Sequence, residues 1–128
     1  MTFGVQKQVD YWRDGSVEDW DVGIWLVTEG KTRHGLFFVH LALEKLLKAH
    51  VCKATGDFAP RVHALLRLAE LSGLDEMDSD QLDFLSRFDQ YNIAGRYPGT
   101  LQPLPSRDET ERDTRMAREV FAWLMERL

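Results

Sequence analysis

From Thr32 to Cys52 one set of residues, Leu36, Val39, Leu43, Leu46, Leu47 and His50, recurs at intervals of three or four. That is the repeat of one face of an α-helix, and it runs too long to be a strand, whose sides alternate every residue. Gly30 stands before the run, and Thr55 and Gly56 close it. No stretch of the chain shows a convincing two-residue alternation. The fold must therefore be assembled from helices.

Four further helices follow from the same reading. Val5, Val9, Trp12, Ser16, Asp19, Gly23 and Leu26 mark the first, with a break or bend expected at Gly15, between Asp14 and Ser16. After a turn at Asp57–Pro60, a third helix is expected over Arg61–Ser72, turning Val62, Leu65, Leu66 and Ala69 inward and stopping at Gly73. The acidic run Asp75–Asp80 suits the positive end of a fourth helix, built on Leu82, Leu85 and Phe88 and reaching about Asp89. Asn92–Arg107 holds Pro98, Pro103 and Pro105 and is read as a long loop. Ser106 and Glu109 form a capping box for the last helix, whose inner residues are Thr110, Ala117, Val120 and Leu124, with Glu111 and Arg115 as an i,i+4 pair. Short connections predict an all-α, antiparallel up-and-down bundle of about five helices, one domain over residues 1–128.

Composition narrows the function. Of 128 residues 44% are apolar and 29% charged, the balance of a globular chain and not of a disordered one. The nearly apolar run Gly35–Leu43 is interrupted by His40 and falls short of a bilayer span, so no membrane partner is expected. The first residues lack the charged-then-apolar pattern of a secretory leader. Cys52 is the single cysteine, which excludes an internal disulfide and any multi-cysteine zinc or iron–sulfur site, and the expected address is the cytoplasm. His34, His40, His50 and His63 are not spaced to chelate a metal with a carboxylate on the same helical face, so neither metal nor cofactor is expected. The net charge is −5, yet Lys31–Arg67 holds seven basic and two acidic residues, leaving −10 for the remainder. A local basic stretch of that kind either attracts phosphate or an acidic partner or is the solvated face of a helix.

Glycine-rich phosphate loops, paired-histidine zinc motifs and nucleophile elbows are absent. Polar residues on apolar stripes stand out instead. Asp19 occupies an inner position of the first helix, where a carboxylate needs a partner. Glu44, Lys45 and Lys48 form a charged ridge on the second helix. Either Glu44 and Lys48 pair along the helix, or Asp19 pairs with Lys45 or Lys48 beside a polar pocket. In the loop, Tyr91 and the stretch Arg96-Tyr97-Pro98 combine rings that can stack on a base with a guanidinium that can hold phosphate, or tie the loop to the bundle.

Taken together, Tyr11-Trp12, Asp19, Gly30, Leu36-Phe37-Phe38, Ala42-x-Glu44-Lys45-x-x-Lys48-Ala49, Arg61–Ala69 and the Tyr91…Arg96-Tyr97-Pro98 loop resemble, in order and spacing, the prokaryotic HEPN domain family. The resemblance implies a helical homodimer that associates with nucleotide or RNA, paired with a minimal nucleotidyltransferase in a toxin–antitoxin-like system. On that basis the phosphate contacts are expected at Lys45, Lys48, Arg96 and Tyr97, with Asp19, Glu44, His63 and Tyr91 shaping the pocket. The ribonucleases of the family carry an arginine, four to six intervening residues and a histidine, located before the last helix. Arg96 stands at that place and no histidine follows it. Arg33 and His40 fit the spacing but lie in the second helix, and chance supplies roughly one such pair in a chain with this many arginines and histidines. Leu41 and Ala64 also replace polar residues usual in the family. The expectation is a non-catalytic member. The alternatives are a metal-independent ribonuclease using Arg33 and His40 or a set including His63, and a helical scaffold for another protein.

Trp20 and Trp25 are five residues apart, so about 140° separates them on a helix and one inner face cannot take both. Phe37 and Phe38 diverge similarly. Rings left in water mark an interface, which again points to self-association, unless the Asn92–Arg107 loop folds back and covers them within one chain.

Overall fold

A computed structural model describes residues 4–92 and 103–128. Among them the chain forms five α-helices and no strand: α1 (Val5–Thr28), α2 (Thr32–Thr55), α3 (Leu65–Ser72), α4 (Ser79–Phe88) and α5 (Arg107–Glu126). The all-α bundle is as the periodicity predicts. The centre is α2, buried on every side from Leu46 to Cys52 because α1, α3 and α5 all pack on it. Leu43, Leu46 and Leu47 meet Leu65 and Leu68 of α3, Phe84, Leu85 and Phe88 of α4, and Val120 and Leu124 of α5 in one core.

Two glycines set the approach of α1 to α2. A Cβ on Gly35 would stand 2.5 Å from Val27 Cγ2 and 2.7 Å from Val27 N, and one on Gly23 would stand 2.8 Å from Val39 N. Backbone meets backbone there, so no side chain fits.

Several expectations need correction. Gly15 does not break the helix, since α1 is continuous from Val5 to Thr28. A single interior glycine costs about 1 kcal/mol, less than the packing of a long helix along α2 returns. The third helix starts at Leu65, not Arg61, because Ala64 is extended and the Leu65 N–H is taken by the Asp89 carboxylate at 3.1 Å. Its inward residues are therefore Leu65, Leu68, Ala69 and Ser72, while Leu66 and Val62 are half-buried. In α4 Phe84 is buried and Leu82 only half-buried, and Asp78 and Gln81 close the helix start with reciprocal hydrogen bonds. Residues 90–92 are helical, so Asn92 does not open the loop. In α5 the Ser106 Oγ accepts from the Glu109 N–H at 3.1 Å, and Glu111 pairs back to Arg107 at 3.4 Å in place of Arg115. Trp20 stacks on Phe121 at 4.5 Å whereas Trp25 is 59% exposed, the divergence that their spacing requires.

Candidate functional site

His40, Glu44 and Lys48 stand at successive turns of α2, so their side chains line one ridge. All three are buried, and each charge has a partner. Glu44 Oε2 accepts from Lys48 Nζ at 3.1 Å and from His63 Nδ1 at 2.9 Å. His40 Nε2 donates to Asp89 Oδ1 at 2.8 Å, and the same oxygen accepts the Leu65 N–H. A carboxylate only accepts, which fixes the proton of His40 on Nε2 and that of His63 on Nδ1. His40 Nδ1 then faces Glu44 Oε1 at 3.9 Å, beyond hydrogen-bond reach. The Lys48 ammonium also lies over the Trp12 ring, 5.1 Å from its centre.

The accessibility of this group is graded. The side chains of Glu44 and Lys48 are 5% and 7% exposed, while that of His63 is 56% exposed. Burying a charge pair is tolerated only with close geometry, and removing one member costs about 3–5 kcal/mol. Glu44 is thus a buried anion neutralised by Lys48, and it holds the imidazole of His63 at the surface with Nε2 turned away from the carboxylate. Such a ring can meet an anion when protonated, or accept a proton when neutral.

Beside it, Lys45 and Asp19 make an ion pair of 2.8 Å that ties α2 to α1. Both pairings read from the charged ridge are therefore present together, Lys48 with Glu44 and Lys45 with Asp19. Lys45 remains partly exposed and Lys48 does not. Tyr91 belongs to a second polar group, where its hydroxyl donates to Asp113 Oδ2 at 2.7 Å while Arg87 donates to Asp113 Oδ1 at 2.8 Å. Burial pushes the Tyr91 phenol far above its ordinary range, and the bond to Asp113 adds to the shift. Arg33 is half-buried two turns before His40, about 10 Å away along the helix, and His40 is turned to Asp89. Arg96 and Tyr97 lie outside the described residues. Among the described residues no group of three or more His, Cys, Asp or Glu is arranged to hold a metal ion. No helix there is long and apolar enough to cross a membrane.

Sequence reasoning passed over Asp89 and Asp113. Asp113 carried a readable signal, since it falls on the stripe Thr110, Asp113, Ala117 of α5, as Asp19 does on α1. Asp89 carried none, because its partners come from two other helices.

A family model for the HEPN domain matches residues 9–128, nearly the whole chain. The chain belongs to the HEPN domain family. No match is found among curated proteins or among solved structures.

Proposed function

We propose that this HEPN protein binds the phosphate of a nucleotide or RNA on the face that carries His63, and works as a homodimer and the non-catalytic partner of a nucleotidyltransferase in a toxin–antitoxin-like pair. The observation that carries this reading is an imidazole at the surface, held at 2.9 Å by a buried carboxylate. A ring oriented in advance loses little entropy on binding. It also lies in the stretch Lys31–Arg67, where positive charge is concentrated, with Arg61 exposed two residues before it. Lys45 adds a partly exposed ammonium, Lys48 holds Glu44 in place from below, and Arg96 and Tyr97 supply the loop contacts. The non-catalytic part rests on the histidines. His40 and His50 are buried on acceptors of the protein itself, and none follows His63. Phosphodiester cleavage needs a base and a charge stabiliser at one accessible place.

Titrating fluorescently labelled RNA and ADP into the protein tests the reading. His63→Ala removes one charge-assisted hydrogen bond of about 1.5–3 kcal/mol, so affinity falls roughly tenfold or more. Equal affinity in wild type and variant removes the site. Co-purification with a co-expressed nucleotidyltransferase encoded beside it tests the partner.

One observation favours a second reading, metal-independent RNA cleavage: Glu44 and His63 form a carboxylate–imidazole pair with Nε2 open to a substrate hydroxyl. Incubating labelled RNA in EDTA with wild type, His63→Ala, Arg33→Ala and His40→Ala separates the two. Cleavage lost in His63→Ala replaces the non-catalytic reading, and intact RNA in every sample retains it.

A further inference from the structure

The side of α1 turned away from the bundle is both apolar and acidic. Six large hydrophobic residues are exposed among the described residues, and Tyr11, Val17, Val22 and Trp25 all belong to this one helix. Tyr11 is 68% and Trp25 59% exposed. Counting about 100° per residue, Tyr11, Asp14, Glu18, Asp21, Val22 and Trp25 fall within about 100° of one another around the helix. The buried residues Val9, Ser16 and Gly23 lie on the opposite side. From Tyr11 to Trp25 the stripe is about 21 Å long.

Its charge has one sign. Between Tyr11 and Trp25 the exposed charged residues of α1 are Asp14, Glu18 and Asp21. Glu18 and Asp21 enter no ion pair among the described residues. The cations at its edges are already engaged, Arg13 with Asp10 at 3.2 Å and Asp14 at 3.3 Å, and Lys45 of α2 with Asp19 at 2.8 Å. Along the other flank α5 carries both signs, with Glu111 and Glu119 beside Arg115 and Arg118. Lys7 and Lys31 stand beyond the two ends of the stripe.

These features select the occupant. RNA and anionic lipid carry the same sign as the stripe, and a second copy laid face to face would set carboxylate against carboxylate. The rings and aliphatic side chains among the carboxylates leave apolar area that a free cation does not cover. We propose that this face takes a basic amphipathic helix of another protein, laid along α1. Its apolar residues rest on Val22 and Trp25, and its Lys or Arg side chains pair with Glu18 and Asp21. Further cations on it meet the faces of the Tyr11 and Trp25 rings. A single stripe of this length makes a small contact, of the size found in transient complexes. The proposal uses neither the His63 face nor the homodimer, and it stands if either fails.

Fluorescence anisotropy with a labelled synthetic Lys–Leu amphipathic helix tests this on the full chain, with a glutamate-for-lysine peptide as the control. The lysine peptide is expected to bind, more weakly as salt rises, and the glutamate peptide to stay free. Glu18→Lys with Asp21→Lys should raise the dissociation constant on the order of tenfold or more, and Trp25→Ala should raise it as well. Asp80→Lys with Asp83→Lys makes the same charge change at two exposed carboxylates of α4 and should leave the constant unaltered. Circular dichroism checks that each variant keeps its helices. Equal weakening by the α4 reversal reduces the contact to general attraction by an acidic protein and overturns the face. So does a lysine peptide that ignores wild type, or one that binds the α1 reversal as tightly as wild type. Sedimentation of the protein alone completes the test: a wild-type dimer that the α1 reversal dissociates gives the face to a second copy and overturns the proposal.

Discussion

At the scale of single residues the bundle stores its polar chemistry in buried side chains held by partners from the protein itself. His50 shows what that does to its titration. It is buried in the core layer of α2, and its Nε2 donates to the Leu124 carbonyl at 2.8 Å. Burial lowers its pKa. The bond to Leu124 works the other way, and the charges of Lys53 and Arg127 reinforce the fall. The folded-state pKa thus lies below the unfolded value of about 6.5. The unfolded chain takes up the proton first, so the His50 contribution is complete above about pH 6.5 and drains away as the pH falls below it. Thermal melts followed by circular dichroism between pH 5 and 7.5 check this. The midpoint should drop toward pH 5 in wild type and drop less in His50→Asn, which keeps a donor without the titration. Parallel curves for the two proteins would mean that His50 contributes nothing to the pH response.

At the scale of elements the contrast between glycines is the sharpest consequence of the packing. Gly35 lies on α2 where its missing Cβ makes room for the backbone of Val27, and nothing there can yield. Gly35→Ala should therefore cost about 2 kcal/mol or more in urea denaturation, by forcing α1 away from α2. Gly15 is the opposite case. A Cβ there would stand 3.3 Å from the Lys45 Cδ, part of a flexible chain that can shift by a few tenths of an ångström. Gly15→Ala should then gain about 0.5 kcal/mol from helix propensity. A loss above 1 kcal/mol at Gly15 would show that the Lys45–Asp19 pair cannot move. The helices themselves were legible because α1, α2 and α5 are long enough for the three-four spacing to dominate. The start of α3 was not: Arg61–Ala64 continue a helical-looking pattern, and only the Asp89 carboxylate, brought from α4, settles that the first turn begins at Leu65. Gly15 misled in the same way, since local propensity was outweighed by the neighbour helix.

At the scale of the whole molecule, three helices converge on one carboxylate. Asp89 ends α4, holds His40 of the central helix at 2.8 Å and caps the first N–H of α3 at 3.1 Å. The candidate site depends on that junction, because His40 precedes Glu44 by one turn and His63 lies two residues before Leu65. The Glu44–Lys48 pair along α2 was readable from i,i+4 spacing, and the Asp19–Lys45 pair from a carboxylate on the apolar stripe of α1. The half contributed by Asp89 was not, because a contact across 49 positions leaves no local trace. Asp89→Ala strands a buried imidazole N–H and a helix-start N–H at once. Each costs about 1–3 kcal/mol, so the variant should lose about 3 kcal/mol in urea denaturation. Asp89→Asn keeps one acceptor and should lose less. His40→Ala removes the same bond from the other side, so the double variant should fall short of the sum of the single losses by at least about 0.5 kcal/mol. With phosphate binding measured alongside, Asp89→Asn should weaken the ligand as well as the fold, since the His63 segment is anchored through Leu65. Strict additivity in the cycle, or binding that is unchanged in Asp89→Asn, would detach the junction from the site and leave Glu44 as the sole support of His63.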